Sequence, residues 1–436
     1  MLGNQRSKDI AKRLGSGHRS YGNLIWRRFR ANRAAFWSLR VLYVLIFLAV
    51  FGDFIANEKP WYCRIEGQVY FPVFRQYAVN LGIADWEARF RQTDWARQEY
   101  EQVLFPPIPY AAHTLDRRNM NYRSPLGEQQ LESWRWRHWL GTDQLGRDVL
   151  AGMIRGTRIA LSVGLVAMGV AAFIGLLLGS LGGYFGDHGL QISYARLLMN
   201  LLGLGLGLFY AFGPRSYALT EGPFLWELLK STGILTAVLL MANAATPLLR
   251  RLPLLGRRFD FPADLLLMRL IELFNAIPGL LLILSIVAIV KQPNIFYIMV
   301  IIGLISWTSI ARFVRAELLR IRRLSYIEAA RALGYSRRRT LLRHALPNAL
   351  PPVLITIAFG IAASILLEAL LSFLGVGLPP DSVTWGTMLN LARSAPKAWW
   401  LAIFPGLAIF ITVTLFNLIG EGLTEALNPG GTNQAP

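Results

Sequence analysis

Apolar runs of membrane-spanning length alternate with short arginine-rich stretches from residue 34 almost to the end of the chain. The runs are Ala34–Ile55, Ala160–Leu181, Leu197–Phe212, Ile234–Leu249, Leu265–Val290, Phe296–Ala311, Val353–Leu374 and Trp399–Leu418. A helix needs about 20 mostly apolar residues to cross a bilayer core. Lipid leaves unsatisfied any backbone group that a helix or closed barrel does not pair. The pattern therefore predicts an all-α polytopic membrane protein with about eight spans. Pro278 falls inside the fifth run and should kink it. The third run is short and carries Gly203, Gly205 and Gly207, so a re-entrant or interfacial helix pair rivals two full spans there.

Charge sets the orientation. The formal net charge is +19 over 436 residues, and the basic residues gather beside the apolar runs, as the positive-inside rule describes. Residues 1–33 carry Arg6, Lys8, Lys12, Arg13, Arg19, Arg27, Arg28, Arg30 and Arg33 against Asp9, which predicts a cytoplasmic N-terminus. The run that follows, 34–56, is too long for a signal peptide and lacks a cleavage site, so it reads as a retained span. Arg250, Arg251, Arg257 and Arg258 place the end of the 188–262 segment inside, and the arginines of 312–350 do the same for that loop. The C-terminus, after an even number of spans, is also cytoplasmic. No nucleic-acid partner is needed to account for the charge. Residues 57–138 fall outside, mixing both charges with many aromatics; they read either as a lid or as a solvated insertion whose tryptophans sit at the lipid interface.

Several chemistries are absent. Cys63 is the only cysteine, so no intrachain disulfide is possible. The five histidines have no metal-ligand spacing, and no phosphate-binding G-x-x-x-x-G-K-[ST] occurs. No metal, cofactor or catalytic residue is expected, and the chain is not expected to hydrolyse ATP itself.

One polar stretch between two spans, Ser325–Pro347, carries compact punctuation. Ser325 and Glu328 have capping-box spacing, and Gly334 stands where a left-handed residue ends a helix. Tyr326, Ala329, Ala330 and Leu333 fall at i, i+3, i+4, i+7 and predict a docking face. Two turns are marginal alone and need a surface to sit on. A capped connector with no partner is the plainer reading. Glu328-Ala329-Ala330, Gly334 and Leu346-Pro347 resemble the EAA loop of ABC-importer permeases. In that family the loop is the coupling helix that sits in a cleft of the ATPase subunit.

The resemblance extends further. Gly141-Thr142-Asp143-x-x-Gly146-Arg147-Asp148 resembles the segment before the second span in dipeptide, oligopeptide and nickel permeases. Physically, Asp143 and Asp148 can pair with Arg147 and cap the next turn; contact with solute is the other reading. Gly182-Gly183-Tyr184-Phe185-Gly186-Asp187, Leu370–Gly375, Phe404-Pro405-Gly406 and Phe416-Asn417-Leu418 also match, over about 138–187 and 262–429. Ile55–Pro60 with Tyr70-Phe71-Pro72 looks like the oligopeptide and microcin-C-type branch. The 188–262 segment departs from the pattern as an insertion of two spans, so six spans belong to the family. Glu368 lies deep in its span and matches a family glutamate; it is a functional candidate or a hydrogen-bonded structural one. Arg269 and Glu272 can pair at i, i+3.

The resemblance implies one permease subunit of a binding-protein-dependent importer for peptides or peptide-like solutes. It implies a prokaryotic plasma (inner) membrane, a second related permease subunit, two ABC ATPase subunits and an extracytoplasmic solute-binding protein. A nickel or chelate permease is the alternative, and a secondary transporter lacks the internal symmetry it would need.

Overall fold

The computed structural model describes residues 21–427 except 81, 92, 222–223, 290–293, 378 and 380–381. Most of the basic N-terminus, the last residues of the C-terminus, Val290, Leu378 and Pro380 lie outside the described residues. Among the described residues, seven helices are long and apolar enough to cross a membrane, or eight if one bent pair counts as a span.

The chain divides into two compact units. The first runs up to Gly169, with Asn294–Gly303 and everything from Pro351 onward. The second runs from Val170 to the residues before Asn294, with Leu304–Leu350.

The first unit opens with α1 (Tyr21–Ala31) and α2 (Arg33–Ile55). Asn32 breaks them apart and caps α2, its side chain accepting from the Ala35 amide at 2.9 Å. The Asn32 amide also donates to Glu425 at 2.7 Å, tying the first span to the last helix. Residues after α2 are not a bare loop. They form a three-stranded antiparallel sheet, β1 (Tyr62–Ile65) between β2 (Gln68–Tyr70) and β3 (Gln102–Leu104), with α3 (Pro72–Asn80) alongside. Cys63, Ile65, Phe90 and Trp95 make its small core. Burial pushes the Cys63 thiol up to about 11. α4 (Val149–Ser180) begins in this unit. α13 (Leu346–Phe373), α14 (Trp385–Ser394) and α15 (Trp400–Leu427) complete it. Phe29, Leu42, Ile365, Trp385, Ile409 and Phe416 lie in the shared core. The short α14 lies between α13 and α15. Thr384 and Thr387 form its reciprocal capping box, and the Trp385 indole donates to the Met153 carbonyl at 3.1 Å.

In the second unit the end of α4 widens into a π-helical turn, Leu181–Phe185. Gly175 and Gly179 of α4 and Gly183 of the π turn form one stripe against α10 (Ile295–Ile321); a Cβ on any of them would stand under 3.0 Å from Ile310, Ala311 or Arg315. Small residues allow this close approach in place of hydrophobic drive, which lipid removes. The 188–262 segment is a hairpin of α5 (Tyr194–Phe212) and α7 (Phe224–Leu249), with the short α6 (Ser216–Glu221) between. β4 (Gln191–Ser193) and β5 (Arg258–Asp260) close its base. Gly203 and Gly207, which weaken α5 as a span on paper, pack against Ala242 and Leu235. Asn243 donates to Asn200 across the pair at 2.7 Å.

The expected kink at Pro278 is a full break. α8 (Ala263–Asn275) and α9 (Gly279–Ile289) meet at 75°. The Thr308 hydroxyl holds the Asn275 side chain at 3.3 Å beside it. The stretch 312–350 is mostly helix: α10 runs on to Ile321, and after α11 (Ser325–Ala332) the chain is helical again from α12 (Arg337–Thr340). Charge marks where a helix leaves lipid, not where it ends. That is why the helical span Arg337–Phe373 has 37 residues, far more than a bilayer needs.

Candidate functional site

α11 is a two-turn helix presented by the end of α10. Its N-cap is Leu324, extended at φ −81 and ψ 144, and it has no side-chain cap. Ser325 is already helical, so the Ser325–Glu328 capping box expected from the sequence does not form. Its C-terminus is as expected. Gly334 has φ +78, its amide donates to the Arg331 carbonyl at 2.9 Å, and the Tyr335 amide donates to the Ala330 carbonyl at 3.1 Å. These are the two bonds of a Schellman stop.

The docking face needs correction. Ile327 and Ala330 are buried within the chain, whereas Tyr326, Ala329 and Leu333 are exposed. Ala330 therefore packs inward with Ile327, and the outward stripe is Tyr326, Ala329 and Leu333 at i, i+3, i+7. Two stripes compete on an eight-residue helix, and the larger β-branched side chain went inside. Pro347 is exposed one position into α13.

Around α11 the second unit is tightly cross-linked. The Arg331 guanidinium lies 5.7 Å from the Tyr184 ring in the π turn. Arg322 donates to the Gly183 carbonyl at 3.4 Å. Arg315 forks onto Asp264 at the start of α8, with Nη2 to Oδ2 at 2.6 Å. Asp187 accepts from the Asp264 and Leu265 amides at 3.1 and 3.0 Å, capping α8. The glycines and aspartate of residues 182–187 thus join the ends of α4, α8 and α10 beneath α11. α11 itself reaches this junction through Arg331 over the Tyr184 ring and through its chain connection to α10.

The Gly141–Asp148 motif builds a different structure, in the first unit. Asp143 takes the Leu145 and Arg147 amides at 2.9 Å each and the Arg147 Nε at 2.6 Å. Asp148 does not pair with Arg147. One oxygen caps α4 through the Ala151 amide at 2.7 Å, and the other meets His138 Nδ1 at 2.8 Å. His138 Nε2 faces Asp116 at 3.2 Å, and its ring stacks on Tyr110 at 4.3 Å. Thr142 donates to the Asn119 carbonyl at 2.7 Å, while its own carbonyl accepts from the Trp400 indole at 3.0 Å. Gly141 and Gly146 turn the chain at φ +78 and +81 against the backbone of Arg123 and Asp116. Burial would raise the Asp116 carboxyl, but hydrogen bonds from His138, Asn119 and the Arg118 amide outweigh it and hold it at about 2. Burial alone would lower His138; its bonds to Asp116 and Asp148 raise it instead. Sequence reading passed over His138, because its partners lie 22 and 10 residues away rather than at a ligand spacing.

Glu368 is 2% exposed and accepts from the Ser372 hydroxyl at 2.6 Å. Among the described residues no arginine or lysine pairs with it. Glu368→Gln preserves the acceptor contact to Ser372, so uptake should stay within about twofold of wild type. Glu368→Leu strands the buried Ser372 hydroxyl, which costs about 1–3 kcal/mol and should lower the melting temperature of the purified protein. A loss of uptake in the glutamine variant at normal membrane level would show that the charge itself is used. Arg269 and Glu272 pair at 2.8 Å and are both exposed, at 71% and 57%.

Residues 254–431 match the binding-protein-dependent transport system inner membrane component. Residues 20–70 match the N-terminal TM domain of oligopeptide transport permease C. The chain is 31% identical over 410 residues to the inner membrane ABC transporter permease protein YejE of Escherichia coli, covering 93% of this chain and 96% of that one. It is 28% identical over 430 residues to the peptidoglycan transport system permease protein YejE of Agrobacterium fabrum, covering 93% and 92%. It is 33% identical over 296 residues to the glutathione transport system permease protein GsiD of Pectobacterium atrosepticum, covering 67% and 72%. With the glycine stop after α11 and the apolar spans on either side, similarity over nearly the full length of the Escherichia coli permease means that the chain belongs to the family of binding-protein-dependent transport system inner membrane components, the permeases of ABC importers.

Proposed function

We propose that this chain is one of two related permease subunits that together line the membrane pathway of an ABC importer for peptides or peptide-like solutes. The observation that carries the reading is α11: a rigidly terminated helix with an exposed Tyr326–Ala329–Leu333 stripe, set against the π turn by Arg331 over Tyr184, next to the Arg315–Asp264 link between α10 and α8. The oligopeptide permease match at the first span and the peptidoglycan and glutathione systems of the relatives support the solute class. The chain is a multi-pass inner-membrane protein and not an enzyme; in this family ATP hydrolysis belongs to separate subunits. Two ATPases bind on the cytoplasmic side, and an extracytoplasmic protein delivers solute. ATP closes the ATPase pair, α11 moves as a lever, and the Arg315–Asp264 and Arg322–Gly183 links draw the helix ends with it. Arg269 and Glu272 are costly in lipid and face the second subunit or the aqueous pathway. The direct test is uptake of a labelled tripeptide in cells lacking the chain, with and without its restoration. Equal uptake in the two would overturn the peptide reading.

Orientation has its own test. With both termini inside, Ser216 lies outside and Ser336 inside; both are exposed. A cysteine at Ser216 should react with an impermeant thiol reagent on intact cells, and one at Ser336 should not. Cys63 is buried with a raised thiol pKa, so background labelling is low even before Cys63→Ser. Reaction at Ser336, or silence at Ser216, would sink this topology.

A further inference from the structure

The first unit holds a cavity of about 450 Å³, within the range of small-ligand sites. Its walls come from the end of α2 and the residues after it (Asp53, Glu58, Lys59), from α3, from the first turns of α4 (Arg155, Arg158) and from Thr384. Arg155 and Arg158 stand at i, i+3 and share a face. Arg158 is fully engaged. Its Nε donates to the Ala49 carbonyl at 2.6 Å and its Nη1 to Asp53 at 2.9 Å. The Asp53 carboxylate also accepts from the Tyr77 hydroxyl at 2.9 Å. Glu58 is taken by the Thr114 hydroxyl at 2.6 Å, and the Lys59 amine donates to Gln76 at 3.2 Å. Arg155 is different: it is exposed to the cavity and, among the described residues, has neither a hydrogen bond nor an ion pair. Three cations thus meet two carboxylates, and the surplus is a free planar fork. A guanidinium matches a carboxylate through two parallel hydrogen bonds, and partial enclosure strengthens that attraction over its value in water.

We propose that this cavity is an outer-face binding site for the solute, in which Arg155 grips a carboxylate, with the C-terminal carboxylate of a short peptide as the fitting ligand. The choice of a peptide rests on the peptide-importer reading; the carboxylate site itself rests on the geometry. Arg158, already bound to Asp53, keeps the α4 face in register and adds positive potential. Glu58 and Lys59 in the wall give the cavity both signs of charge, which suits a zwitterion.

The test uses the transporter complex purified through this chain, in nanodiscs of zwitterionic lipid and without binding protein. Equilibrium dialysis compares radiolabelled tri-alanine with tri-alanine amide, which lacks the terminal charge. The acid should bind at least about tenfold more tightly than the amide, a difference of about 1.4 kcal/mol. Arg155→Gln should reduce the acid to the level of the amide, and Arg155→Lys, which keeps charge but not the fork, should retain part of the preference. Equal binding of acid and amide, a preference that survives Arg155→Gln, or no binding of the acid up to about 10 mM overturns the site. Tripeptide uptake by cells, measured in parallel, separates the two ideas. Uptake that persists while the preference is absent leaves the importer reading standing and removes the site. An Arg155-dependent preference without uptake does the reverse.

Discussion

Leu333→Asp and Ala329→Trp are expected to strip the ATPase subunits from the purified permease while leaving its level in the membrane unchanged. Leu333 is 73% exposed on the outward stripe of α11. An apolar anchor in the centre of an interface is worth about 2 kcal/mol or more, about a 30-fold loss of association. Ala330→Trp should behave differently. Ala330 is buried against the chain itself, so the indole overpacks the second unit and lowers the amount of folded protein, by about 1–3 kcal/mol of stability. Gly334→Val joins the first group. Nothing lies within 4 Å of an added Cβ there, so the penalty is conformational: a β-branched residue resists φ +78, and α11 loses its stop without a clash elsewhere. The measurement is ATPase copurified per permease, with solute-stimulated ATP hydrolysis. Normal copurification and hydrolysis in Leu333→Asp and Ala329→Trp would reduce α11 to a connector.

His138→Ala should loosen the part of the first unit around the Gly141–Asp148 motif and change how its stability depends on pH. His138 is fully buried and bridges Asp116 and Asp148. Removing it leaves the buried Asp148 carboxylate without its imidazole hydrogen bond, a loss of about 1–3 kcal/mol. The His138 pKa is raised on folding, so its contribution is complete below the ordinary value of 6.5 and fades as pH rises through the folded value. The Asp116 pKa is depressed to about 2, so its contribution is complete above the ordinary 3.8 and is lost as pH falls through that depressed value. Thermal melts of wild type should therefore be highest between these two ordinary values and decline on the alkaline side. His138→Ala should melt lower and lose that decline. An unchanged alkaline slope in the variant would mean that the imidazolium bridge does not hold this region together.

Local backbone rules carried the legible part of the fold. Gly334 and Pro278 each have a conformation dictated by one residue, and both are where the pattern put them, the proline with a larger effect. Apolar length located the spans, because lipid imposes length directly. What failed depended on which of two neighbours packs inward. Ile327 and Ala329 are separated by two positions on one short helix, and only the surrounding second unit decides between them. The Ser325 capping box failed for a related reason: α10 delivers the chain with Leu324 already in the capping position. The sheet around Cys63 was hidden because its strands are short and their partners distant, as in Tyr62 opposite Leu104. His138 was hidden likewise, since its aspartates come together only after folding. Thr384 and Thr387 did have a readable signal, two hydroxyls three residues apart before an amphipathic stretch.

Pro278 has no N–H, so the carbonyl of Phe274, four residues earlier, has no helical partner. The helix axis turns by 75° there. Acyl chains cannot solvate a bare carbonyl, and irregular backbone at membrane depth persists only against protein or a water-filled space. Wherever the α8–α9 elbow lies at membrane depth, it therefore needs a wet or proteinaceous neighbour and cannot face acyl chains alone.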